Sequence, residues 1–233
     1  MSRGLGVIEP IQSTIPDWLG VLVAVITQLG DGWFLLALLG GLYVTQRESQ
    51  TGIVLVGGVL ACGVGAYSTL KQLFARPRPT ASLLDPTTLP EMIAPLYEFT
   101  AHASGYGFPS GHATMATVAY LGLATVLDSG SRRQRFLGAG IIVVLVAFSR
   151  VALGVHFLVD VIAGMGLGLT LLAFAFHGIP RLSLPSETTV LTTAVLLSAV
   201  WVGISHGHSE SLFLLCGSVL ALGAWVVDKP QSN

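Results

Sequence analysis

Three short stretches of this chain set reactive side chains against apolar runs: "KQLFARPRP" (71–79), "FPSGHAT" (108–114) and "SRVALGVHFLVD" (149–160). In the first, Lys71 and Arg78 stand seven apart, near one face for as long as a helix lasts, and Pro77 and Pro79 then end it. Alone, Lys71 also reads as a cation snorkelling from a span end. In the second, Pro109 suits the first turn of a helix, Ser110 brings a hydroxyl, and Gly111 lets a ligand approach the backbone. His112, in that turn, can give or take a proton. The N–H groups and dipole of a helix start favour an anion, with phosphate the usual guest. An ordinary cap with an incidental histidine would look the same in isolation. In the third, His156 and Asp160 stand at i and i+4, so a helix would bring them to one face. A carboxylate there can hold one imidazole nitrogen and leave the other as a nucleophile. A buried polar pair joining two helices is the plainer alternative. Arg150 precedes His156 by six residues.

The elements that must position these groups are membrane helices. Of 233 residues, 52% are hydrophobic and 10% charged, against about 25% charged in a typical soluble domain. Mean hydropathy is +0.76. So few charges cannot clothe a soluble surface, and the composition predicts an all-α, polytopic transmembrane bundle of about six to seven spans. The candidate spans are 32–46, 52–75, 110–127, 136–153, 157–177, 188–204 and 211–227. Residues 15–29 are apolar but followed by "GDG", and read as an interfacial helix or the outer half of a long first span. The N-terminus lacks the pattern of a cleaved signal peptide. Most connections are short. The exception is 76–108, rich in Pro, Ser, Thr and Gly and without sustained periodicity, and loops of that length are often functional. The Gly164–Gly168 step suits close helix packing. Cys62 and Cys216 lie in apolar runs and read as packing residues. The expected organisation is an N-terminal interfacial segment and first span (1–51), a catalytic core (52–177) and a C-terminal pair of additional spans (178–233).

Charge gives an orientation. With the 128–135 loop in the cytoplasm, Arg47, Arg132, Arg133, Arg135, Arg181 and Lys229 fall inside, obeying the positive-inside rule, and Arg3 is a tail exception. Lys71, Arg76, Arg78 and Arg150 fall at span ends on the outer side, with Ser110, His112 and His156. A basic cluster on that side needs a reason. A net charge of −1 leaves no basic excess for nucleic acid.

Cations, a helix start, two histidines and a carboxylate on one membrane face suit a phosphoryl group in transfer, which runs on positioning and charge stabilisation. No magnesium-type carboxylate cluster or zinc pattern accompanies them, so the economical expectation is metal-free histidine chemistry without a cofactor. Together the three stretches resemble the signature of the type 2 phosphatidic acid phosphatase superfamily: Lys71 to Arg78-Pro79, then Pro109-Ser110-Gly111-His112, then Ser149-Arg150 to His156 to Asp160. The resemblance covers roughly 52–177. It implies that His156 attacks phosphorus, that Asp160 orients it, and that His112 protonates the leaving oxygen and then activates water. It also implies that Lys71, Arg78, Ser110, Gly111 and Arg150 hold the phosphate oxygens. The substrate expected is a lipid phosphate or polyprenyl diphosphate in the bilayer, at the extracytoplasmic face of the cell membrane. Arg76 and His102 lie outside the motif. Arg76 reads as a head-group contact and His102 as a loop residue. A phosphotransferase that passes the group to an alcohol has the same signature. The related vanadium haloperoxidases are soluble, which the spans oppose, and a transporter or scaffold would not need intact catalytic residues.

Overall fold

The computed structural model describes residues 5–101 and 103–228, so Arg3, His102 and Lys229 lie outside the described residues. Every regular element among the described residues is helical. The N-terminal part comprises α1 (Ile8–Thr14), α2 (Asp17–Ile26), a one-turn extension Thr27–Gly30 and α3 (Gly32–Thr45). Then come α4 (Gln50–Phe74), α5 (Ala94–Ala101), α6 (Gly111–Ala116), a π-helical turn Thr117–Leu121 and α7 (Gly122–Val126). The chain continues with α8 (Arg132–Ala152), α9 (Leu158–Ala173), α10 (Ile179–Arg181), α11 (Ser186–Ile204) and α12 (Ser209–Asp228).

Among the described residues, five helical runs are long and apolar enough to cross a membrane, or up to six if the bent pair Ile8–Thr14 and Asp17–Gly30 counts as one span. The five are Arg47–Phe74, Arg132–Ala152, Leu158–Arg181, Ser186–Ile204 and Ser209–Val227. The two other expected spans form as shorter helices. α3 has 14 residues, which at about 1.5 Å each fall short of a ~30 Å hydrocarbon core. The 110–127 span is the continuous run α6–π–α7, packed against α4, α8 and α9. Most of its residues are buried by protein, so its length need not match the bilayer. Large apolar side chains such as Leu36, Ile162, Leu196 and Leu220 are exposed on the outside of the bundle, as lipid contact requires.

Small residues set how closely the helices approach. A Cβ on Gly164 would collide with the Ser110 carbonyl oxygen, and one on Gly168 would lie 2.8 Å from Thr117 Cβ and 2.9 Å from Thr114 O. The Gly164–Gly168 step is therefore the seam between α9 and α6. Thr114 fastens it, donating from Oγ1 to Gly164 O at 3.1 Å. Cys62 is buried and its Sγ donates to Val190 O at 3.4 Å, whereas Cys216 is exposed; both are free thiols.

The bundle alternates direction, so the ends of α4 and α8 and the starts of α6 and α9 meet at one end. Over that end lies the 76–108 segment, which is more regular than its composition suggests. It carries α5, whose Tyr97 hydroxyl accepts from Leu84 N–H at 3.1 Å. α2 packs on this layer through Val23 and Ala24 against Leu84, Tyr97, Ala152 and Leu153. Gly154, at φ +70°, turns the chain between α8 and α9 so close to the Ala81 carbonyl that no side chain would fit.

The α6–α9 seam predicts that Gly168→Val destabilises the detergent-solubilised protein by about 1–3 kcal/mol, the usual range for overpacking. The readout is a lower Tm, with Gly166→Ala as a control, because open space surrounds Gly166.

Candidate active site

The expected residues come together at the covered end, with several local differences from a plain helical reading. α4 ends at Phe74, before the prolines, and Ala75 adopts a left-handed conformation with its N–H on Lys71 O. Arg78 therefore lies in extended chain and folds back. Its Nε donates to Ser104 O at 3.1 Å and Gly105 O at 3.2 Å, and its Nη1 donates to Val155 O at 2.9 Å. The same Nη1 lies 3.0 Å from His156 Nε2.

That last contact fixes a tautomer. A guanidinium can only donate, so His156 Nε2 is the acceptor and the ring proton sits on Nδ1. Nδ1 lies 3.6 Å from Asp160 Oδ2. His156 and Asp160 do not share a helix, however, because α9 begins at Leu158. His156 precedes the helix, and Asp160 sits in its first turn, where Oδ2 also accepts Phe157 N–H at 3.0 Å. The carboxylate thus caps α9 and faces the imidazole at once. Burial, then the charges of Arg150, Arg78 and Lys71, hold His156 well below its ordinary pKa, so the ring is neutral.

Pro109 stands one residue outside the helix it was expected to begin. Ser110 is the N-cap of α6, its Oγ accepting Ala113 N–H at 3.4 Å and its own N–H bonding Asp160 O at 2.9 Å. The Gly111 and His112 amides have no intrahelical acceptor, which leaves them to an anion. Gly111 also has a packing reason. A Cβ there would lie 2.8 Å from the Tyr67 ring, and Lys71 Nζ sits 5.2 Å from the centroid of that ring. Lys71 lies within electrostatic reach of Arg78, Arg150 and Asp160.

Arg150 is 2% exposed. Its Nη1 donates to Thr27 Oγ1 at 2.8 Å, and its Nε has no hydrogen-bond partner among the described residues. A buried guanidinium with an unused donor, close to two other cations, is the electrostatic form of an anion site.

Two residues escaped the sequence reading. Thr27 is fully buried and holds Arg150. Asp31 Oδ2 lies 3.6 Å from His112 Nε2, while its Oδ1 caps α3 by accepting Trp33 N–H at 3.4 Å. The His112 contact holds the Asp31 carboxyl below the usual carboxylate range. The "GDG" break was the available signal, since a carboxylate between apolar segments asks for a partner. Arg76 joins the site through its backbone, its carbonyl accepting Gly107 N–H at 2.8 Å.

A sequence model of the PAP2 superfamily matches residues 52–184. The chain belongs to the PAP2 superfamily. It is 34% identical over 165 residues to phosphatidylglycerophosphatase B of Bacillus subtilis, covering 66% of this chain and 72% of that one. It is 30% identical over 174 residues to decaprenylphosphoryl-5-phosphoribose phosphatase of Mycobacterium tuberculosis, covering 71% and 85%. The crystal structure of a transmembrane PAP2-type phosphatidylglycerolphosphate phosphatase from Bacillus subtilis superposes with a TM-score of 0.59 at 30% identity, over 78% of this chain and 88% of that one. This PAP2 chain is accordingly an integral membrane phosphatase, a phosphoric monoester hydrolase. Thr27 and Asp31 lie outside the segment matched by the family model.

The half-bonded Arg150 predicts that inorganic phosphate raises the Tm of the purified protein. At 100 times Kd the stabilisation is about 2.7 kcal/mol. Arg150→Leu should abolish the rise. A rise that persisted undiminished in the variant would exclude Arg150 from the anion site.

Proposed function

We propose that this PAP2 protein hydrolyses a lipid phosphate or polyprenyl diphosphate through a phosphohistidine on His156, at the extracytoplasmic membrane face. The observation that supports this most strongly is the His156 tautomer, with a neutral ring, Nδ1–H towards Asp160 and the lone pair on Nε2. Arg78 occupies that lone pair. An arriving phosphate dianion competes for the guanidinium and uncovers Nε2. Nε2 then attacks phosphorus and the bond to the leaving oxygen breaks, its electrons passing to that oxygen. His112 supplies the proton the oxygen takes. Neutral His112 next removes a proton from water, whose oxygen displaces His156 and releases inorganic phosphate. Asp160 balances the charge that develops on His156. Lys71, Arg78, Arg150, Ser110 and the Gly111 amide hold the three phosphate oxygens.

A large cavity of about 1130 Å³ supports a lipid as the bearer of that phosphate. Leu36, Val54, Leu191 and Phe213 line it among α3, α4, α11 and α12, and Lys71, Ser104 and Tyr106 line its polar part. Because Lys71 belongs both to the cavity and to the phosphate cluster, a chain in the apolar part would present its phosphate to His156. The relatives' substrates, a phosphatidylglycerol phosphate and a decaprenyl-linked phosphoribose, agree with a lipid-borne ester. The basic residues at the opposite end of the bundle, Arg47, Arg132, Arg133, Arg135 and Arg181, support the outward face through the positive-inside rule.

The test measures released phosphate in detergent, with EDTA present, from a polyprenyl diphosphate, phosphatidic acid and phosphatidylglycerol phosphate. Wild type should release phosphate from at least one, and the ranking names the substrate. His156→Ala should lower the rate about a thousandfold or more, as loss of a nucleophile does. Hydrolysis that survives His156→Ala, or that EDTA abolishes, would overturn the mechanism. Transfer of the phosphoryl group to an added alcohol in preference to water would make the protein a transferase.

A further inference from the structure

We propose that Asp31 is a positioning residue for His112, orienting its ring and favouring the protonated form that gives a proton to the leaving oxygen. This rests on the reading of His112 as the general acid. The geometry is specific: Oδ2 faces His112 Nε2 at 3.6 Å while Oδ1 is engaged at the start of α3. Such contacts are often long in an empty site and tighten when substrate is bound.

The turn that carries Asp31 is held in place from both sides. Tyr120, in the π-helical turn that follows His112, donates its hydroxyl to Leu29 O at 2.7 Å. Gly30 fits so closely that a Cβ would lie 2.6 Å from Val146 Cγ1 and 3.3 Å from His112 O. Trp33 Nε1 donates to Gln28 Oε1 at 2.9 Å, closing the turn on itself. The carboxylate therefore reaches His112 as a fixed group.

The requirement is electrostatic. His112 shares its surroundings with Arg150, Lys71 and His156, and every one of these that is charged is a cation. A second proton on the ring needs a nearby anion to stabilise it, and Asp31 is the carboxylate in contact with it. In the first half-reaction the P–O bond breaks as His156 Nε2 bonds to phosphorus, and the Nδ1 proton of His112 passes to the leaving oxygen. The ring becomes neutral imidazole, and its remaining proton, on Nε2, stays towards Asp31. Attack by water then returns a proton to Nδ1 and restores the starting state.

A merely structural role can be separated by leaving group. Asparagine and serine cap helices as well as aspartate does, so Asp31→Asn and Asp31→Ser keep the start of α3 while removing the charge. Two esters are compared: the faster of the two lipid alkyl phosphates above, whose alkoxide needs a proton, and 4-nitrophenyl phosphate, whose phenolate leaves without one. Both variants should lose kcat about 10- to 100-fold on the alkyl ester, with KM nearly unchanged, and no more than about threefold on the aryl ester. Asp31→Glu should recover part of the loss. Equal losses on both esters, or a change confined to KM, would overturn the inference. His112→Ala provides the separating control. If it loses alkyl-ester hydrolysis while Asp31→Asn does not, the acid assignment stands and Asp31 fails. If His112→Ala retains alkyl-ester hydrolysis, the acid assignment itself fails, and this inference with it.

Discussion

The guanidinium of Arg150, buried at the end of a membrane helix, is the constraint around which this end of the protein is organised. An isolated ion taken out of water costs several kcal/mol even after relaxation, and removing one partner of a buried pair costs a similar amount. Among the described residues Arg150 has a threonine hydroxyl 123 residues away in the chain as its side-chain partner, and its Nε has none. Lys71 and Arg78 add positive charge nearby. Such an arrangement favours an anion among the three cations. The rest of the fold serves this charge cluster: the α6–α9 seam brings Ser110 to Asp160, and the 104–107 strand of loop pins Arg78 by its Nε.

The His156–Asp160 half of the site was legible in the sequence because its parts are local. His156 and Asp160 are four residues apart, and their contact survives the finding that His156 lies outside the helix, since the first turn of α9 returns Asp160 towards it. The cationic residues were legible as a cluster at span ends opposite the other basic residues. What could not be read was how distant segments meet. Thr27 and Asp31 sit in a stretch whose hydropathy records only a weak apolar helix and a break. Nothing local distinguishes Asp31 as an ordinary helix cap from Asp31 as the partner of His112, and it is both. The span count was similarly limited. Hydropathy registers the apolar content of the α6–α7 run but not that neighbouring helices enclose it, and enclosure is what allows it to be short.

The two histidines consequently have carboxylates of different origin. That of His156 comes from the same short segment and is held by backbone N–H donation from Phe157. That of His112 comes from the N-terminal part and is held by tertiary contacts, through Tyr120 on Leu29 and the fit of Gly30 against Val146. His156 is therefore built into the core, whereas the environment of His112 depends on how the N-terminal part docks. The helix that Asp31 caps is also a wall of the large cavity, through Trp33 and Leu36. A chain in that cavity would bear on the same helix whose N-cap, Asp31, faces His112. The cavity and His112 are in this way joined through one short helix, while the His156–Asp160 pair stands apart from that link.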